Sequence, residues 1–269
     1  MQKISYPNLF NQFVGREEAL KQVIRYHIYS PMFYRSQLAT HAKHVLWLYQ
    51  TILPLAEQIF GADFDSTKAQ LLAVVHDDPE TIMGDIVAGH KKKMTMMELA
   101  AISEKEQMAI AALAERYPFS ILGYNYGDLM REGQALKTPE AKLLKYVDRF
   151  DALGEALHEL FAGNAAFATS SVHEKFGVID MPVPFYQEYI VDFLKKNPEF
   201  IELFQKPHPL FAPLPFFDTE AVLRSGHPHS LFTLRQPSDF TPYEFWKKTI
   251  LDSGDEEEIQ NLYRQKESD

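Results

Sequence analysis

Apolar residues recur at three- and four-residue spacing along most of the chain, and runs of alternating β-branched residues are scarce. The pattern predicts an almost wholly α-helical protein that has no need of strands. Residues 16–28 read as one helix. A second starts near Ser36 and carries His41, Val45, Leu48 and Ile52, with Pro54 expected to kink or end it. Asp65 or Ser66 can cap a third helix, which turns Ala69, Leu72, Ala73 and Val75 inward and stops at His76-Asp77-Asp78-Pro79. Pro79 suits the first turn of a short helix that Gly84 closes. Thr95 and Glu98 have capping-box spacing for a long helix through Arg116. Thr138, Pro139 and Glu140 mark another start, with Leu143, Leu144, Val147 and Phe150 as its buried stripe, Asp148 inside it and Gly163 as its stop.

The periodicity changes near Asn164. A helix is expected over 184–196, then an ordered aromatic coil over 206–242, rich in Pro, Phe and His and laid on the helical body. One or two acidic helices and a frayed tail follow over 243–266. The expected organisation is an all-α core over residues 1–164 and an extension of coil and short helices over 165–269, packed on that core.

Composition narrows the chemistry. The 269 residues, 46% hydrophobic and 24% charged, suit one globular core with an appendage. Cysteine is absent, which excludes disulfides, thiolate nucleophiles and cysteine-ligated metals, and leaves any metal to His, Asp and Glu. The first residues lack a basic region followed by an apolar core, and no stretch is long enough to span a bilayer. A cytoplasmic protein with no membrane partner is therefore expected. A net charge of −10 disfavours a nucleic acid polymer as partner, although the local run Lys91-Lys92-Lys93 can neutralise a small phosphate.

The residues with chemical promise begin at His76-Asp77, where an apolar helix stops. Neighbouring helical residues point roughly 100° apart, so both can reach one cation only off a helix end. His41 lies beside the apolar stripe of an earlier helix. Asp148 interrupts the buried face of a later one, where a carboxylate is costly to desolvate unless it is paired or bound to a cation. Together His41, His76, Asp77 and Asp148 form a mixed nitrogen and oxygen donor set for one divalent ion, with Mn²⁺, Co²⁺, Fe²⁺, Zn²⁺ and Mg²⁺ all open. Such an ion lowers the pKa of bound water toward neutrality. Glu80, one turn beyond His76, is placed to hold or deprotonate that water. Taken one at a time, most of these residues are more often structural: capped helix ends, first-turn carboxylates, packed histidines. Tyr124 and Tyr126 beside Gly127 read as loop packing, and His227 and His229 as an exposed loop pair.

The order His41, His76-Asp77, Asp148 resembles the HD-domain superfamily of metal-dependent phosphohydrolases. The string His76-Asp77-Asp78-Pro79-Glu80-Thr81-Ile82-Met83-Gly84-Asp85-Ile86 is similar to the HDxxExxxGDI element of its 5′-deoxynucleotidase-like branch, and Ile24-Arg25-Tyr26 to that branch's early Ile-Arg-Tyr/Trp motif. The resemblance covers roughly residues 19–156. It departs at Thr40-His41-Ala42, where the family usually has Glu-His-Ser.

The resemblance implies an all-helical HD bundle, a single divalent metal, Glu80 and Asp85 as catalytic residues, and Arg25, Tyr26 and Lys92 at the substrate phosphate. Asp85 would orient the arginine or protonate the leaving alkoxide. His90 is the one histidine between the His-Asp pair and Asp148, too few for a second metal. The implied substrate is a small phosphate ester, most directly the 5′-phosphate of a (deoxy)nucleoside monophosphate. Thr81 stands where (p)ppGpp hydrolases carry a second acid. A phosphodiesterase, a triphosphohydrolase and a non-catalytic helical module with a metal clasp are the alternatives. Helical enzymes of this kind commonly pair, so a homodimer is a further expectation.

Overall fold

The computed structural model describes residues 3–27, 36–91, 93–161, 171–173, 177–179, 185, 186, 189, 192, 193 and 195–197. The expectations for Ile28, Lys92, Gly163, Asn164, the 206–242 coil with His227 and His229, and the 243–266 helices lie outside these residues. The elements run α1 (Tyr6–Leu9), α2 (Arg16–Gln22), α3 (Leu38–Phe60), a 3₁₀ turn (Gly61–Asp63), α4 (Ser66–Val75), α5 (Glu80–Met83), α6 (Ala88–Lys91) and α7 (Met96–Arg116). A small hairpin of β1 (Ser120–Ile121) and β2 (Tyr124–Asn125) leads into α8 (Tyr126–Ala135) and α9 (Pro139–Phe161), followed by β3 (Ser171–His173) and β4 (Gly177–Ile179). The architecture is all-α, as the periodicity predicts. Among the described residues, two short antiparallel pairs are the exception, with Ile121 opposite Tyr124 and Val172 opposite Val178.

The chain divides into two compact units, with the break between Val147 and Asp148 inside α9. In the first, α3 packs on α2 and α4, α4 on α8, and α7 on α8 and α5. Their shared core includes Tyr49, Leu53, Leu71, Leu72, Ile110 and Met130, all fully buried. In the second, Asp148, Asp151, Ala152, Leu153, Glu155 and Ala156 of α9 are buried. The described positions of the 184–196 segment are helical, and Phe185 stacks edge-on against Tyr186 at 5.1 Å.

Local chemistry explains most of the boundaries. Asp65 is the N-cap of α4, its Oδ1 accepting from the backbone N–H groups of Thr67 (3.1 Å) and Lys68 (2.9 Å), while Oδ2 accepts from the Tyr124 hydroxyl (2.7 Å). Asp65→Ala removes all three and should cost about 1–2 kcal/mol of stability, read as a lower urea midpoint at unchanged slope. Thr95 and Glu98 form the expected capping box at the start of α7. Gly84 closes α5 at φ 79°, a left-handed angle that glycine adopts without strain.

Three expectations are corrected. The helix that starts at Arg16 stops at Gln22 instead of running to residue 28. β-branched Val23 and Ile24 are extended, Ile24 bridges to Gln37, and Leu38 N–H donates to the Val23 carbonyl (3.1 Å). Pro54 does not end its helix: α3 continues to Phe60, because Pro54 faces solvent while Leu53 and Ala56 beside it are fully buried. The lost backbone bond is outweighed by that packing. Tyr126 is not loop packing. It opens α8, is fully buried, and donates its hydroxyl hydrogen to Asp78 Oδ2 at 2.6 Å.

That last contact belongs to a buried network. Arg16, only 2% exposed, donates from Nε to Asp78 Oδ2 (2.7 Å) and from Nη2 to Asp78 Oδ1 (2.6 Å) and to the Val74 carbonyl. Its guanidinium lies 3.6 Å over the Phe10 ring. Burial alone would lower the Arg16 pKa, but the Asp78 carboxylate more than reverses this, and the side chain is held firmly protonated. Burial also raises the Asp78 carboxyl against the pull of Arg16. The bidentate geometry favours the ionised pair.

Candidate functional site

His41 and the His76-Asp77 pair arrive from different elements. His41 is fully buried near the start of α3, where its backbone N–H donates to the Gln37 carbonyl at 3.0 Å. His76 is the C-cap of α4, and Asp77 follows in the turn before α5. The helix end gives them the divergence from the axis that the sequence requires. Asp77 Oδ2 lies 3.3 Å from His41 Nε2 and 3.3 Å from His76 Nε2, and the two rings stand 5.4 Å apart. Two imidazoles and one carboxylate thus present single atoms toward a common point.

These spacings fit a shared divalent cation. With bonds of roughly 2.1 Å, adjacent ligand atoms sit about 3.0 Å apart in an octahedron and about 3.4 Å apart in a tetrahedron, and 3.3 Å falls between. The His76 Nδ1 atom is 3.0 Å from the Ala73 carbonyl. That contact assigns the ring hydrogen to Nδ1 and leaves the Nε2 lone pair facing the carboxylate, the arrangement in which metal-binding histidines are usually held. Asp148 lies on α9, directly after Val147 of the buried stripe. It is 7% exposed, and its Oδ2 is 3.9 Å from Arg149 Nε.

Around Asp77 the first unit gathers further charge. Glu80, the first residue of α5, has its carboxyl pushed well above the ordinary range, by burial first and then by the negative charges of Asp77 and Asp85, with Lys91 and Arg25 opposing. Asp85 is raised for the same leading reason, while Arg25 pulls it down and Asp77 pushes it up. Its Oδ2 accepts from the Tyr26 backbone N–H at 3.3 Å. Arg25 is not the surface residue that an arginine at a helix end usually is. It is 8% exposed, held by an N–H···O bond of 3.0 Å to the Ser36 carbonyl, with its guanidinium 5.5 Å from the Tyr26 ring. Tyr26 takes φ 53°, an uncommon angle for a bulky side chain and one that costs roughly 1–2 kcal/mol. Lys91 of the basic run acts electrostatically on Glu80.

Sequence reasoning passed over Glu106. On α7 it lies three and four residues before the buried Ala109 and Ile110, and its pKa is raised by burial, with Lys91 opposing and Asp77 adding. The signal was available: a carboxylate on a buried helical stripe, the criterion that singled out Asp148.

The raised carboxyls have a consequence for the metal-free protein. Between the ordinary carboxylate range and the raised values, the folded state binds more protons than the unfolded chain. Stability is therefore present at low pH and falls as pH rises through that interval. In EDTA, melting temperature should fall as pH rises above the ordinary carboxylate range, and Glu80→Gln should flatten the decline. A flat wild-type profile would contradict the raised pKa values of Glu80 and Asp85.

The family model described as 5′-deoxynucleotidase YfbR-like matches residues 12–196. The chain belongs to the YfbR-like family. A 5′-deoxynucleotidase of Vibrio vulnificus is 28% identical over 134 residues, a match that covers 49% of this chain and 66% of that relative's length. Two solved structures are similar at lower levels. A conserved hypothetical protein from Pyrococcus furiosus has 18% identity and a TM-score of 0.47, covering 78% of this chain and 96% of its own. A protein from Magnetospirillum magnetotacticum, described as a predicted metal-dependent phosphohydrolase, has 21% identity and a TM-score of 0.43, covering 74% and 95%. The YfbR-like match bears out the resemblance to the 5′-deoxynucleotidase-like branch. No described helix is long and apolar enough to cross a membrane.

Proposed function

We propose that this YfbR-like protein removes the 5′-phosphate of (deoxy)nucleoside monophosphates, with one divalent cation held by His41, His76, Asp77 and Asp148. The observation that carries the reading is the meeting of His41 Nε2, His76 Nε2 and Asp77 Oδ2 beside a carboxylate pair, Glu80 and Asp85, and a buried arginine. The burial of Asp148 supports it as fourth ligand, since a carboxylate so enclosed is stabilised by a cation. Bound there, a divalent ion would act as a Lewis acid and make water acidic enough to serve as nucleophile near neutral pH.

The protein's own groups supply the rest. Glu80, at the start of α5 and within electrostatic reach of Asp77, is placed to hold the attacking water and take its proton. Arg25 offers a planar fork to two non-bridging phosphate oxygens, preorganised by the backbone bond to Ser36 and by the Tyr26 ring. Asp85 takes the Tyr26 N–H and lies within electrostatic reach of Arg25, so it fixes the arginine. Asp85 is also the carboxyl proposed to pass a proton to the leaving 5′-alkoxide. Of the lysine run, Lys91 and Lys92 are the residues proposed to offset the charge of the incoming phosphate.

Incubation with a panel of ribo- and deoxyribonucleoside mono-, di- and triphosphates and cyclic nucleotides, with Mn²⁺ or Co²⁺, tests the proposal. Release of inorganic phosphate from 5′-monophosphates is expected. Pyrophosphate or tripolyphosphate as product would redirect the reading to triphosphohydrolysis, and cleavage of cyclic nucleotides to diester chemistry. Inertness of every substrate with the metal bound would leave a structural clasp.

A further inference from the structure

The segment His76-Asp77-Asp78 offers two carboxylates in succession, and either could in principle complete a site with the two imidazoles. We propose that Arg16, Asp78 and Tyr126 form a positioning device that decides between them: by locking Asp78 away from the imidazoles, it aims Asp77 at them. The device presupposes the cation proposed for His41, His76 and Asp77.

Both carboxylate oxygens of Asp78 are committed to Arg16 and Tyr126. Oδ1 accepts from Arg16 Nη2 at 2.6 Å, and Oδ2 accepts from Arg16 Nε at 2.7 Å and from the Tyr126 hydroxyl at 2.6 Å. Asp78 is 2% exposed, whereas the Asp77 side chain remains 23% exposed and keeps Oδ2 3.3 Å from both imidazole nitrogens. Arg16 also donates to the carbonyl of Val74 in the last turn of α4, so one guanidinium spans the helix end and the turn that follows it. The guanidinium is itself fixed, by the Phe10 ring 3.6 Å beneath it and by Nη1 donation to the Tyr6 hydroxyl at 3.3 Å. Neighbouring Cα atoms are about 3.8 Å apart, so a shift of Asp78 is passed directly to Asp77. The backbone bonds Asp78 N–H to Val75 O (3.1 Å) and Glu80 N–H to Asp77 O (3.0 Å) extend the same constraint to the first residue of α5.

The fork geometry is what the device needs. A lysine at position 16 keeps the charge but cannot donate in one plane to both Asp78 oxygens while also reaching Val74. Charge and geometry are thereby separable.

The test is Mn²⁺ binding to the EDTA-stripped full-length protein, by calorimetry and by the Mn²⁺ electron paramagnetic resonance spectrum, for wild type, Arg16→Lys and Tyr126→Phe. Asp65→Ala, at the opposite end of α4, serves as a control for lowered stability alone. Circular dichroism at the working temperature establishes that each variant is folded. Arg16→Lys should weaken Mn²⁺ binding by roughly 10- to 100-fold, the usual cost of losing a group that orients a ligand. Tyr126→Phe, which keeps the ring and loses one hydrogen bond, should weaken it by a smaller factor and alter the resonance spectrum, while Asp65→Ala leaves the affinity unchanged. If Arg16→Lys does not fold, Tyr126→Phe decides. Folded variants that bind Mn²⁺ as tightly as wild type, with only their melting temperature lowered, would overturn the positioning role and leave the metal site standing. A folded wild type that takes up no Mn²⁺ would overturn the metal reading itself, and this inference with it.

Discussion

Asp77→Ala is expected to abolish both metal binding and phosphate release. Asp77 Oδ2 is the atom that both imidazoles approach, each at 3.3 Å, so its removal takes away the shared corner of the site and its negative charge. A catalytic cation contributes several kcal/mol of transition-state stabilisation, which corresponds to a loss of at least roughly 10³-fold in kcat/KM. The folded state should survive. With Asp77 gone, one of the charges that raises Glu80 and Asp85 is also gone, and above the ordinary carboxylate range the metal-free variant should melt no lower than metal-free wild type. Elemental analysis after gel filtration, phosphate release and a thermal melt in EDTA check the three parts. A variant that retains stoichiometric metal would remove Asp77 from the ligand set.

Glu80→Gln separates binding from turnover. Glu80 is the first residue of α5, a helical turn beyond His76 and not among the proposed ligands, so metal content should remain that of wild type. Losing a general base costs about 10²- to 10⁴-fold, and the loss should fall on kcat with little change in KM, because glutamine keeps the shape and can still hold a water molecule. The pH–rate profile should lose its acidic limb as well, since that limb reports protonation of the base. Unaltered turnover, or a loss that tracks a fall in metal content, would deny Glu80 the role of base.

What was legible in the sequence follows the range of the physics involved. The caps at Asp65 and Thr95 were readable because they are contacts between residues two or three positions apart. His76-Asp77 was readable because a helix stop, a proline and a polar pair coincide within four residues. The end of α2 was not, since Val23 and Ile24 leave the helix to pair with Gln37 and Leu38, partners too distant along the chain for a local pattern to show. Pro54 misleads for a related reason: the packing of Leu53 and Ala56 that carries α3 past it is tertiary. Arg16 looks like an ordinary helix-start residue, and nothing local announces that its partner lies 62 positions away. Tyr26 hides its left-handed backbone behind a side chain that disfavours it.

The partnership of Arg16 with Asp78 bears on how such a protein can drift or be re-engineered. Either residue lost by itself strands a charge in the interior, so a lineage can discard the two only together, or after some nearby change has softened the loss. Transplanting the His-Asp-Asp segment into a cousin's scaffold should likewise fail until the arginine travels with it.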